Sequence, residues 1–144
     1  MRSMQTKEKF EATYQSQHIA DLDRIREVLD GVSKDFYSTL VDTFQSHATK
    51  ESYKILKAYL KGDYETIRQS AHSIKGAALN IGAARLAWLT LQLETAAKEH
   101  DNHLIDKILP HLRHALSEFI QFIKEKLNTD DGNLPDDEDG SVLD

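Results

Sequence analysis

Apolar residues recur at three- and four-residue spacing along most of the chain, and no stretch alternates apolar and polar residues for long enough to form a strand. This pattern indicates an all-α protein. The breaks between apolar stripes coincide with residues that start or end helices: Asp21, Ser33 and Asp63 are good N-terminal caps, and Gly62 marks a helix end. The first stripe predicts a short helix at about residues 22–29.

Four longer helices follow this short one. They are predicted to run from Ser33 to Gly62, from Asp63 to about Asn80, from about Ala83 to Glu99, and over about 103–127. We expect a kink near Thr49 in the first of them and a local kink at Pro110 in the last. Because short connections favour antiparallel neighbours, the sequence predicts an antiparallel up-down four-helix bundle with the additional short N-terminal helix as a lid.

Composition divides the chain of 144 residues into three parts. Residues 1–19 form an N-terminal extension, and residues 20–127 form the bundle. Residues 129–144 carry seven acidic residues and no basic one. Because the formal net charge of the whole chain is −6, the residues before this segment have a net charge of only +1. The segment 128–144 also lacks the apolar content that folding requires, and we expect an acidic disordered tail.

Several classes of protein are disfavoured by composition. The absence of cysteine excludes disulfides and thiolate metal sites and suits a reducing compartment. No apolar run approaches a membrane span and the N-terminus is not signal-like, so we expect no membrane association and a cytoplasmic protein, also nuclear if eukaryotic. There is neither a basic stripe nor interleaved aromatics for a nucleic-acid partner. We expect a monomer without a cofactor or metal.

The candidate chemistry lies on the second long helix, around His72. If Ala71 is placed at 0° and each residue turns about 100°, the apolar stripe of this helix centres near about −30° and His72 falls near about 100°. His72 therefore points away from the core. Lys75 lies one turn further along the same flank, and Gly76 beside it costs roughly 1 kcal/mol of helix stability relative to alanine. Such a glycine indicates the close approach of another surface or tight helix packing.

Residues 71–82, AHSIKGAALNIG, resemble the signature of the histidine phosphotransfer (HPt) family, His-x-x-Lys-Gly followed by glycine six residues later. The resemblance extends upstream through residues 60–67 and downstream through residues 85–88, and it covers about residues 20–127 in all. Residues 85–88 are similar to the fungal phosphorelay intermediates in particular.

The resemblance implies a role for each matched residue. His72 is the phosphorylated residue, Lys75 steadies the phosphate, Gly76 clears space for the partner, and Gly82 serves the turn between the central helices. Glu94 stands where some members have a glutamine that contacts the active histidine; a carboxylate there could still accept an imidazole N–H. The flank expected to dock the partner comprises Arg68, Gln69, Gly76 and Leu79.

The resemblance also implies a phosphoryl carrier more than an enzyme. His72 would take a phosphoryl group from the aspartate of one receiver domain and give it to another, with response-regulator receiver domains and a hybrid histidine kinase as partners. Mg²⁺ would be supplied by the receiver. Positioning and charge stabilisation account for most of the catalysis of phosphoryl transfer, so one nucleophile and one cation suffice in the carrier.

Two alternatives stay open. The chain could be a helical interaction module that docks receiver domains without being phosphorylated, although intact His72 and Lys75 argue against this. Alternatively, the chain could be an enzyme or a metal protein that binds zinc through a histidine-rich last helix, although it lacks cysteine and a His-Glu-x-x-His motif. The residues concerned would be His100, His103, His111 and His114.

Overall fold

The computed structural model describes residues 2–128, with side chains from residue 8 onwards. All regular elements in this range are helices: α1 (Arg2–Ser16), α2 (Leu22–Gly31), α3 (Lys34–Lys61), α4 (Tyr64–Ile81), α5 (Ala84–Lys98) and α6 (Asn102–Leu127). This confirms the all-α class. No helix within the described range is long and apolar enough to cross a membrane. Apart from Asn128, the predicted acidic tail lies outside the described residues.

The helix starts follow the capping residues. The side chains of Asp21, Ser33, Asp63 and Asp101 each accept a hydrogen bond from the backbone N–H three residues on, at 3.0–3.1 Å. The kinks expected near Thr49 and at Pro110 do not break α3 or α6, which each continue as one helix through these positions.

Helices α3 to α6 form a ring in which each packs on the next along the chain and α6 returns to α3. The stripe expected on α4 is fully buried and faces buried leucines of α5; the α4 residues are Ile67, Ala71, Ile74 and Ala78. The apolar stripe of α3 is narrower than its sequence suggests, because Phe36, Leu56 and Leu60 are 52%, 42% and 86% exposed. Only one side of α3 is buried in the bundle.

The N-terminal extension contains a helix that the apolar pattern did not predict. Phe10 and Tyr14 of α1 are buried, and their rings lie 5.5 and 6.4 Å from the ring of Trp88 on α5. Tyr14 also lies 4.4 Å from the ring of His111 on α6. Two large apolar residues were too few to show a helical period, but they are enough to dock α1 on the bundle.

The end of α1 is held by Arg85, whose side chain is only 2% exposed. Its guanidinium donates to the backbone carbonyls of Gln15 and Gln17 and forms a salt bridge with Glu118 on α6 at 3.0 Å. A buried arginine without partners would be strongly destabilising, so these acceptors are required. Arg85 thus joins the extension, α5 and α6.

The turn between α4 and α5 is fixed from two sides. Gly82 has a φ of +90°, and its carbonyl accepts a hydrogen bond from the N–H of Asp21 at 2.8 Å. The hydroxyl of Tyr37 donates to the carbonyl of Ile81 at 2.9 Å, and Arg24 Nε donates to that of Asn80 at 2.9 Å. Helices α2 and α3 therefore set the geometry of the α4–α5 pair.

We predict that Gly82→Ala lowers the free energy of unfolding by about 2–3 kcal/mol in urea titrations. A side chain with positive φ costs about 1–2 kcal/mol, and a Cβ here would also lie 2.7 Å from Ile25 Cγ1 and 3.2 Å from the Asp21 carbonyl. Gly62→Ala separates the two effects, because its φ is +70° but no described atom lies within 4 Å of the new Cβ. A Gly82→Ala cost no larger than that of Gly62→Ala would show that Ile25 and Asp21 do not pack tightly against Gly82.

Candidate functional site

His72 projects from the exposed flank of α4, and 64% of its side chain is accessible. One ring nitrogen, Nδ1, lies 3.0 Å from Oε2 of Glu94 on α5. The imidazole is therefore held in one orientation at the junction of α4 and α5, although most of the ring faces solvent.

Glu94 connects the histidine to the neighbouring cation. Its second oxygen, Oε1, accepts a hydrogen bond from Lys75 Nζ at 2.7 Å. The side chains of Glu94 and Lys75 are only 13% and 21% exposed. Partial burial by itself raises the pKa of Glu94, but the hydrogen bonds from Lys75 and His72 outweigh it and hold the pKa below its ordinary value.

The charge of Glu94 determines which imidazole nitrogen is nucleophilic. An ionised carboxylate only accepts hydrogen bonds, so the ring must donate from Nδ1. In neutral His72 the proton then resides on Nδ1, and Nε2 keeps its lone pair. Glutamate in place of glutamine thus fixes the tautomer through a charged partner.

Gly76 lies on the exposed surface one turn beyond His72, and no described atom comes within 4 Å of a Cβ added there. Tight helix packing, one of the two reasons proposed for this glycine, therefore does not apply among the described residues. Gly82 is not beside the histidine; it ends α4 in the left-handed conformation and supports the site only through the turn.

The other flank residues differ in their contacts. Arg68 is paired with Glu65, with distances of 2.6 and 2.8 Å from its Nε and Nη2, and Gln69 lies 3.4 Å from the same carboxylate. Leu79, in contrast, has an apolar side chain and is 58% exposed. Arg68 and Gln69 would need to exchange partners to contact another protein, whereas Leu79 is directly available.

An apolar pocket of about 260 Å³ adjoins the site between α4 and α5. Its lining includes Lys75 and Leu79 from α4 and Trp88 and Leu91 from α5. We call these four residues the flank pocket. The docking flank predicted from the sequence included neither Trp88 nor Leu91, although Leu91 lies outside the buried stripe of α5 and is 43% exposed.

The histidines considered for zinc have other neighbours. His100 stacks on the ring of Tyr64 at 4.1 Å, His111 Nε2 lies 2.8 Å from Glu11, and His114 lies 3.4 Å from Glu118. Within the described residues, no group of three or more histidine, aspartate or glutamate side chains is placed to hold a metal ion.

The Hpt domain model matches residues 39–122, more than half of the chain. Among solved structures, the chain is similar to histidine-containing phosphotransfer protein B from Pseudomonas aeruginosa, with a TM-score of 0.69 and 24% identity over 75% of this chain and 93% of that chain. At this identity the likeness establishes the fold alone. No curated protein sequence matches the chain significantly.

The lowered pKa of Glu94 predicts a pH-dependent contribution to stability. Ionised Glu94 stabilises the fold above the ordinary glutamate pKa of about 4.3, and this stabilisation is lost as pH falls through the lower folded-state pKa. The Glu94→Gln variant should therefore have a free energy of unfolding at least about 1 kcal/mol lower than that of the wild type at pH 7. This difference should shrink towards pH 3. Urea titrations across this range measure it.

Glu99→Gln is the matched control, because Glu99 is an exposed glutamate close to Glu94 in sequence. It should stay within about 0.5 kcal/mol of the wild type at neutral pH. A stability gap for Glu94→Gln that is the same at pH 7 and pH 3 would contradict the proposed ionised bridge.

Proposed function

The chain belongs to the Hpt domain family and is a histidine phosphotransfer protein of a phosphorelay, and from this premise we propose that His72 carries the phosphoryl group on Nε2. One observation carries the proposal: Glu94 binds Nδ1 of an otherwise exposed imidazole at 3.0 Å. This contact leaves the second nitrogen unprotonated and facing outwards, as a nucleophile requires.

In the proposed reaction, the Nε2 lone pair attacks the phosphorus of an acyl phosphate on a receiver aspartate. An N–P bond forms while the P–O bond to the aspartate breaks, and the aspartate leaves as a carboxylate. The imidazole keeps its Nδ1 proton and gains positive charge, which the Glu94 carboxylate stabilises. The reverse sequence transfers the phosphoryl group to the aspartate of a second receiver.

Lys75 supplies the positive charge near the transferred group. Its ammonium already lies at the site through its hydrogen bond to Glu94. We propose that during transfer the ammonium donates hydrogen bonds to both Glu94 and a phosphoryl oxygen. Mg²⁺ is assigned to the receiver. Hpt proteins are carriers rather than enzymes, and the site is accordingly small.

Receiver domains and kinases are the partners of Hpt domains, and the flank around His72 is the proposed contact. Gly76 leaves space beside the histidine, and the flank pocket offers an apolar surface next to it. A hybrid kinase as donor, a monomeric state and a cytoplasmic location belong to this proposal, as expected from the sequence.

We predict that His72→Gln abolishes labelling by a radiolabelled phosphorylated receiver, while its circular dichroism and melting temperature stay close to wild type because the side chain is exposed. The wild-type label should be acid-labile and base-stable, as a phosphoramidate is. His103→Gln, which changes an exposed histidine on α6, should label normally. Full labelling of His72→Gln would move the site elsewhere, and an unlabelled wild type that still binds receivers would favour the docking module.

We predict that Gly76→Gln separates docking from folding. Glutamine is the better helix former by several tenths of a kcal/mol, and the position opens onto free space, so the melting temperature should be unchanged or slightly higher. Receiver binding should weaken by about tenfold or more, equivalent to about 1.4 kcal/mol, because the new side chain stands beside His72. Isothermal titration measures binding.

Gly31→Gln provides the comparison, because Gly31 is equally open but ends α2. Its receiver affinity should match the wild type. If Gly76→Gln bound receivers with wild-type affinity, Gly76 would have no docking role.

A further inference from the structure

A long groove follows the seam between α3 and α6. Its first part is lined from Gln45 on α3 to Lys124 and Asn128 at the end of α6. Its second part, of about 610 Å³, continues from Thr49 on α3 and Leu116 on α6 towards the middle of both helices. We call the two parts together the seam groove. In the ring of four helices this seam lies opposite the α4–α5 junction that holds His72.

The second part of the seam groove combines an apolar floor with basic walls. The floor is formed by leucines of both helices, including exposed Leu56, and by Tyr53, which is 61% exposed. The walls carry four cations: Lys50, Lys54, Lys57 and Arg113. All four are exposed.

The local counter-charge is small. Lys54 pairs with Glu51 at 2.9 Å, and Lys57 lies 5.2 Å from the centre of the Tyr53 ring. In the first part of the groove, Lys124 is accompanied by Glu125. The seam groove therefore concentrates positive charge within residues 1–128, whose net charge is only +1, and this favours an acidic occupant.

The chain itself carries such an occupant. Residues 129–144 contain seven acidic residues and no basic one, and they follow directly on Asn128, which lines the start of the seam groove. Asp136, Asp137, Glu138 and Asp139 form their densest acidic run, and Leu134 and Val142 flank it.

The length of this segment suits the groove. Arg113 precedes Asn128 by 15 residues of α6, which is about 22 Å at about 1.5 Å per residue. Asp136 follows Asn128 by 8 residues and reaches up to about 26 Å in an extended chain at about 3.3 Å per residue. The acidic run can therefore meet the basic walls when the chain doubles back along α6.

We propose that residues 130–144 bind in the seam groove of their own chain, with the acidic run on the lysines of α3 and Arg113. Single exposed ion pairs are weak, but several pairs act together, and a short linker gives an effective concentration in the millimolar range. The segment can bind in this way without forming an apolar core of its own. The flank around His72 stays open, so the proposal stands independently of the phosphoryl site.

Paramagnetic relaxation of the full chain tests the proposal. The chain has no cysteine, so Ser141→Cys allows one nitroxide label in the acidic segment. At low salt we expect strong broadening of the amide signals of the seam groove, including Tyr53, Leu56 and Arg113, and little at Gly76 and Leu79. The broadening should disappear at about 1 M salt, where the Debye length falls to about 3 Å.

A charge variant and its control complete the test. Combining Lys50→Gln, Lys54→Gln and Lys57→Gln should remove most of the broadening, whereas Lys9→Gln, Lys34→Gln and Lys98→Gln together remove the same charge elsewhere and should preserve it. Circular dichroism verifies that both variants are folded. Scattered broadening, equal loss in both variants, or broadening that arises only between two molecules in a mixture of isotope-labelled and spin-labelled chains would overturn the proposal.

Discussion

The close packing of α4 on α5 is the constraint on which the site depends. The two helices pack on each other and both carry buried alanines, including Ala71 and Ala78 of α4 and Ala87 of α5; short side chains allow two helices to approach closely. Only at short range can one carboxylate of α5 reach two residues of α4. Glu94 does so, with 3.0 Å to His72 and 2.7 Å to Lys75.

This arrangement explains how a bundle without a deep active site can prepare a nucleophile. The carboxylate orients the imidazole and selects its tautomer, and in the proposed reaction it would offset the positive charge that the ring gains on phosphorylation. The partial burial of Glu94 makes each of these effects stronger than it would be in water. The imidazole nevertheless stays on the surface, as the proposed carrier role requires, because a carrier must present its nucleophile to different partners in turn.

The remainder of the molecule separates two surfaces. Helices α2 and α3 fix the α4–α5 turn through Asp21 and Tyr37, and α1 supports Trp88 from behind while Trp88 lines the flank pocket. The seam between α3 and α6 lies on the opposite side of the bundle. It is basic, whereas the flank around His72 carries charges of both signs. The two proposed functions, phosphoryl exchange and binding of the acidic segment, therefore fall on different faces of the four-helix bundle and do not interfere directly.

Local information determined much of this protein. The 3.6-residue period and the caps at Asp21, Ser33 and Asp63 sufficed for the fold class and for five of the helices, because helices are stabilised by neighbours three and four residues apart. The same period placed Lys75 and Gly76 beside His72. The tertiary structure decided what depends on distant residues: the bridge from Glu94, the burial of Arg85 against Glu118, the docking of α1 and the seam groove. These contacts join residues at least 22 positions apart, and their energies arise only when the helices pack, so no periodicity within a single helix could indicate them.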